Sequence, residues 1–301
     1  MVKSRLRRAR TTCAVLFGLL LSACTPGQSS AQSAPAVASS PGPTARGTAS
    51  EPAAPGVVLE HTERREITSA KIGQRYDLFV SLPGDYAASG KRYPVLYVLD
   101  GWHFPLMAYL QDNNSFSKRM PPIIIVNIGQ GDDAIRLRDR DFTPKPMASK
   151  QGSGGAPAFL AFLEGDIIPF IERTYRTIPT DRAILGHSLG GLFALYAMEQ
   201  RPGLFQRIVV VSPARLAENP EIVASLDRMG ASGTSVRLDV SMGEEEPGVA
   251  GVAAFASRLD QAKLPNVAHR FTVYLGENHN SVRLASFPSG LYWVYRPAGS
   301  P

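Results

Sequence analysis

One serine flanked by glycines, set between an apolar run and a helix-forming one, restricts this 301-residue chain more than any other stretch. Ala183-Ile184-Leu185 leads into Gly186-His187-Ser188-Leu189-Gly190-Gly191, and Leu192-Phe193-Ala194-Leu195-Tyr196-Ala197-Met198 follows. A buried strand enters a tight turn and leaves as a helix, with Ser188 at the tip. The glycines are needed because strand and helix close on each other at so sharp a turn. This is the context that a G-x-S-x-G nucleophile elbow requires. It projects the Ser188 hydroxyl from the top of a sheet and leaves the Leu189 amide at a helix N-terminus, where negative charge is favoured.

The rest of the chain supplies that sheet. Residues 57–69 and 74–82 alternate apolar and polar side chains and read as two antiparallel edge strands, joined by a turn at Lys71-Ile72-Gly73. Residues 93–99 and 122–128 are Val-, Leu- and Ile-rich runs suited to buried parallel strands. Residues 129–157 read as a long loop carrying Arg136, Arg138, Arg140 and four aspartates. Phe159, Phe162, Leu163, Ile167, Phe170 and Ile171 recur at helical spacing over 158–175. Beyond the elbow, 207–212, 235–242 and 269–275 read as strands, 220–229 and 249–263 as helices, and 281–295 as a closing helix. Such alternation predicts an α/β fold, with a mostly parallel central sheet, helices on both faces and an antiparallel N-terminal edge. Functional groups in these sheets gather at the carboxyl ends of the strands. Gly101, Trp102, Ser188, Glu244, Glu245, Glu246 and His279 all fall there.

The N-terminus reads as a targeting segment. Lys3, Arg5, Arg7, Arg8 and Arg10 precede an apolar stretch over 12–21 that is too short to span a bilayer. Leu21-Ser22-Ala23-Cys24 resembles a lipobox, which makes 1–23 a lipoprotein signal peptide and Cys24 the lipidated residue; an ordinary secretory signal cleaved near Ala23 or Ala31 stays open. The protein is therefore expected to be exported and held on a membrane facing the periplasm or the cell exterior. Residues 24–56 are rich in Ala, Ser, Pro and Gly and cannot bury enough surface to offset chain entropy, so they read as a disordered tether. Residues 57–301 form the catalytic domain. The formal charge of +6 includes the five basic residues of 1–23. The mature chain is near neutral, which argues against nucleic-acid binding. Only Cys13 and Cys24 are cysteines, so the domain has no disulfide and no cysteine metal site. No metal constellation and no G-x-G-x-x-G after the first parallel strand are seen, and no cofactor is expected. The chain is expected to be a monomer.

A serine hydroxyl needs an adjacent base. His61, His103, His187 and His269 compete, but His269 begins a strand, and only His279, in the loop after the last strand, is last in the order serine, acid, histidine that this arrangement uses. The base in turn needs a carboxylate, and Glu244, Glu245 and Glu246 offer three in succession that cannot all face one histidine. Two amides must hold the tetrahedral intermediate: Leu189, and Trp102 from the loop after the first parallel strand. Gly101 permits close backbone approach to a ligand. His187, whose side chain diverges from its neighbour's, joins Gly101 and Arg138 as a candidate for substrate contact. Arg136, Arg138 and Arg140 suit an anionic or phenolic group, or else pair with the neighbouring aspartates.

Tyr97-Val98-Leu99-Asp100-Gly101, Arg138-Asp139-Arg140-Asp141-Phe142-Thr143-Pro144, the elbow and Gly276-x-x-His279 occur in that order. Together they resemble the putative-esterase family of α/β-hydrolases, which includes siderophore (enterochelin) esterases, feruloyl esterases, esterase D and mycolyltransferases. The Arg-Asp-Phe-Thr-Pro segment is most similar to the siderophore-esterase branch. The resemblance implies a serine carboxylic-ester hydrolase acting through an acyl-enzyme, on a siderophore or another aryl or acyl ester. Similar enzymes place the acid a few residues past the strand-ending glycine, which favours Glu246; some members use a Ser–His dyad, and that alternative stays open. An acyltransferase on the same machinery and a catalytically silent surface binding protein are the rival readings.

Overall fold

A computed structural model describes residues 58–297. The expected signal segment, Cys24 and the tether lie outside the described residues.

The chain opens with an antiparallel pair, β1 (Thr62–Ser69) and β2 (Gln74–Ser81). It continues through β3 (Tyr93–Leu99), a 3₁₀ turn at Gly101–His103, α1 (Phe104–Ser117), β4 (Ile124–Gly129) and α2 (Ala134–Asp141). Next come α3 (Ala156–Phe162), a π turn at Leu163–Ile167, α4 (Ile168–Thr174), β5 (Thr177–His187), α5 (Leu189–Gln200) and β6 (Arg207–Val211). The chain closes with α6 (Pro220–Ala224), α7 (Leu226–Ala231), β7 (Val236–Gly243), α8 (Val249–Ala262), β8 (Val267–Tyr274) and α9 (Val282–Tyr295).

The strands form one sheet in the order β1-β2-β4-β3-β5-β6-β7-β8, antiparallel through β1, β2 and β4 and parallel thereafter. Period-two alternation divides the core between its faces. Tyr97 and Leu99 pack on the side of α3 to α5, and Leu96 and Val98 on the side of α1 and α9. Each fully buried large aliphatic side chain contributes about 1.5–3 kcal/mol. The sheet thus supplies the rigid platform that the loops need. The chain leaves β3 for β4 on one side and reaches β5 on the other, so a crevice opens above the ends of β3 and β5. Trp102 and Ser188 lie there.

Two segments differ from the sequence reading. The stretch expected as a loop over 129–157 contains α2, because its charges are spent on ion pairs that let Asp139 and Asp141 be buried. The expected helix over 220–229 is two short helices that break at Ser225. Helix α1 has no clear apolar stripe, and the sequence reading leaves it unmarked.

Candidate functional site

Ser188 is held at φ 60°, ψ −122°, a conformation that costs a non-glycine residue roughly 1–3 kcal/mol. The surroundings impose it. The Ser188 amide donates to the Val211 carbonyl at 2.9 Å, and the Ser188 carbonyl accepts from Leu192 and Ala214 at 3.0 and 3.1 Å. A side chain on Gly186 would fall 2.1 Å from the Gly190 oxygen, and one on Gly191 would fall 3.0 Å from the Val211 oxygen. Gly186 is therefore a steric necessity, and Gly191 sits where its neighbours would have to give. Ser188 is only partly covered, while nearly all of α5 behind it is buried. The Leu189 amide, at the first helical position, has no partner within its own helix.

The loops after β7 and β8 are zipped together. The Glu244 amide donates to the Tyr274 carbonyl at 2.9 Å, and that of Glu245 to the Glu277 carbonyl at 3.1 Å. A Cβ on Gly243 would lie 2.2 Å from the Glu277 oxygen, so only glycine permits this approach. The packing separates the three glutamates. Glu244 accepts the Gly276 amide at 3.0 Å on an exposed turn, Glu245 faces solvent, and Glu246 turns inward with a side chain that is 4% exposed. One Glu246 oxygen accepts His279 Nδ1–H at 2.6 Å. The other accepts the Ser212 hydroxyl at 2.6 Å and the Gly243 amide at 2.7 Å. The carboxylate and the imidazole are thus joined through Nδ1, on the side of the ring away from Nε2. Among the described residues no hydrogen bond joins Ser188 to His279; such contacts tighten when substrate is bound.

The remaining candidates take other positions. His187 is buried and donates from Nε2 to the His279 carbonyl at 2.7 Å, its ring 4.6 Å from that of His279. Burial and the neighbouring His279 push His187 down to about 3, and burial, with Arg283 and Arg138, does the same to His103. Both rings are neutral supports. His61 is exposed, and His269 pairs with Asp260 at the far edge of the sheet. Trp102 is 46% exposed at the rim. Gly101, expected to admit a ligand, has a different reason to be glycine: a Cβ there would meet Gly129 Cα at 2.8 Å.

Arg138, expected on the substrate or on a neighbouring surface aspartate, is instead clamped by Asp100. Its Nε and Nη2 donate to the two carboxylate oxygens at 2.9 and 3.1 Å, and Asp100 is wholly buried. The guanidinium also lies 5.3 Å from the Trp102 ring centre and 5.7 Å from that of Phe142. The rest of its motif is architectural. Arg140 pairs with Asp141, which also accepts the Tyr76 hydroxyl, while Phe142 packs into the core. Of the arginines in this segment, Arg136 makes the expected surface pair, with Asp133. Sequence reasoning missed Asp100 and Ser212. Both end strands at positive φ, 69° and 49°, and a strand-ending polar residue was the signal available.

An eight-stranded, mostly parallel sheet with a serine elbow at its switch point defines an α/β-hydrolase fold. The chain belongs to the putative-esterase family, whose model matches residues 69–283. It is 32% identical over 182 residues to the ferri-bacillibactin esterase BesA of Bacillus subtilis, covering 55% of this chain and 63% of that protein. It is also 32% identical over 154 residues to the apo-salmochelin esterase of Escherichia coli, covering 46% and 47%. Both matches take in less than two thirds of the relative's own length. Among solved structures, the BES protein of Bacillus cereus is similar at TM-score 0.74 and 26% identity, covering 81% of this chain and 98% of that one.

Proposed function

We propose that this protein is a serine carboxylic-ester hydrolase, acting on a siderophore or a comparable aryl or acyl ester. The observation that carries the reading is the hydrogen bond from half-exposed His279 to buried Glu246, in a chain whose strand-to-helix elbow carries a strained serine. Ser188 Oγ attacks the ester carbonyl while His279 Nε2 takes its proton. The imidazolium is stabilised by Glu246 through Nδ1–H. The Leu189 and Trp102 amides donate hydrogen bonds to the developing oxyanion. Collapse expels the alcohol, which leaves with the proton from His279. Water then attacks the acyl-enzyme with His279 again as base, releasing the acid and restoring Ser188.

The names of the relatives, both siderophore esterases, support the substrate class. A carboxylate that holds three donors favours a full triad over a dyad, since a mere surface glutamate would not be so fixed. We further propose that the enzyme is exported and tethered through lipidated Cys24. An organophosphonate that mimics the tetrahedral intermediate tests the mechanism. It is expected to label Ser188 stoichiometrically, and more slowly in His279→Ala; label on another serine, or full ester turnover by Ser188→Ala, refutes it. Product analysis with and without an added alcohol acceptor separates hydrolase from acyltransferase.

A further inference from the structure

Arg283 stands one helical turn past His279, in the first turn of α9. Its position on the helix shows where it faces. Residues four apart share a helix face, and Phe287, four residues on, is fully buried with its ring 5.0 Å from that of His103. Arg283 therefore lies on the α9 face turned to the Asp100–His103 segment, one turn nearer the carboxyl ends of the strands. The His103 ring is 6.1 Å from that of His187, which packs on His279. Arg283 and the elbow thus flank the same crevice.

The guanidinium is fixed but not neutralised. Its Nε donates to the Asn280 carbonyl at 2.8 Å, which anchors it to the loop carrying His279. Among the described residues no carboxylate pairs with it. The other basic side chains around this end do have such partners: Arg136 with Asp133, Arg138 with Asp100, Arg140 with Asp141, Lys145 with Glu221 and Arg215 with Glu218. The charge of Arg283 is felt at Asp100, where it favours the carboxylate, and at His103 and His187, where it opposes protonation. It is only partly covered by protein, on the side of the neutral His103 and His187 rings whose protonation it opposes. A planar fork in such a setting suits an oxyanion.

We infer that Arg283 binds an oxyanion carried by the substrate away from the scissile carbonyl, a carboxylate or a phenolate, and so makes the enzyme selective for anionic esters. The inference rests on the reading of Ser188 as the nucleophile. Arg138, which the sequence offered for this task, is already committed to Asp100.

The test compares kcat/KM within two matched ester pairs. One pair is mono-p-nitrophenyl succinate and its methyl diester. The other is the methyl ester of a nitrophenol carboxylic acid, ionised at neutral pH, and its methyl ether. The anionic-to-neutral ratio should exceed one in the wild type and fall about tenfold in Arg283→Gln, the scale of a lost charge-assisted hydrogen bond. It should recover in part in Arg283→Lys. The pair that responds identifies the oxyanion as carboxylate or phenolate. Circular dichroism and phosphonate labelling of Ser188 establish that each variant is folded. Equal ratios in wild type and Arg283→Gln for both pairs overturn the inference. Full turnover by Ser188→Ala would instead overturn the ester-hydrolase reading, whatever the ratios show.

Discussion

Glu246 Oε2 lies 2.6 Å from Nδ1 of His279, and the other oxygen of that carboxylate is held by Ser212 and the Gly243 amide. The carboxylate is therefore fixed by three donors, on a bridge between β6, β7 and the loop after β8. Its neighbours Glu244 and Glu245, chemically equivalent in the sequence, do not share this arrangement.

Glu246→Gln is expected to lower kcat by about 10³–10⁴-fold with little change in KM, because it removes stabilisation of the imidazolium rather than ground-state binding. Glu244→Gln should stay near wild type. Steady-state kinetics on a chromogenic ester reads both; a reversal of the two effects would assign the acid to Glu244.

Arg138→Ala is expected to destabilise the fold by about 3–5 kcal/mol, since it strands the Asp100 carboxylate in a buried site. Asp100→Asn with Arg138→Met, which removes both charges, should recover part of that loss. Urea unfolding of the two singles and the double yields the coupling. Additive effects would mean that the pair contributes nothing as a pair.

His103 and His187 are both pushed down to about 3, mainly by burial, from an ordinary value near 6.5. Between these limits the unfolded chain binds more protons than the folded one. Their contribution to stability is complete above about pH 6.5 and is lost progressively as pH falls toward 3. Replacing His187 with Gln, which retains a donor for the His279 carbonyl, should reduce the acid-limb slope by about 1.4 kcal/mol per pH unit. Urea melts across that range measure it; an unchanged slope would show that His187 is protonated in the folded protein.

Cys24→Ser is expected to release the protein from the membrane fraction or to block its processing. Fractionation followed by immunoblotting decides, and unchanged membrane association would remove Cys24 as the anchor.

Local patterns were sufficient for the elbow and the parallel strands, because each is declared by residues adjacent in the chain. Gly186 is legible for the same reason: the Gly190 carbonyl it must clear lies four residues on, whereas Gly191 also answers to the Val211 carbonyl of β6. The roles of Glu246, Gly101 and Arg138 were not, because each depends on a segment distant in sequence. Glu246 is singled out from three equal glutamates by a loop about 30 residues away, whose Glu277 carbonyl presses against Gly243. Gly101 is needed by the Gly129 backbone. Arg138 is taken by Asp100, 38 residues earlier, whereas Arg283 has no carboxylate partner among the described residues. The sequence by itself determined the α/β class and the strand–turn–helix that presents Ser188, since periodicity and turn sterics act between neighbours. Tertiary structure alone decided which charges are spent on holding the fold and which remain to meet a ligand, because pairing depends on distances that only the packed sheet sets.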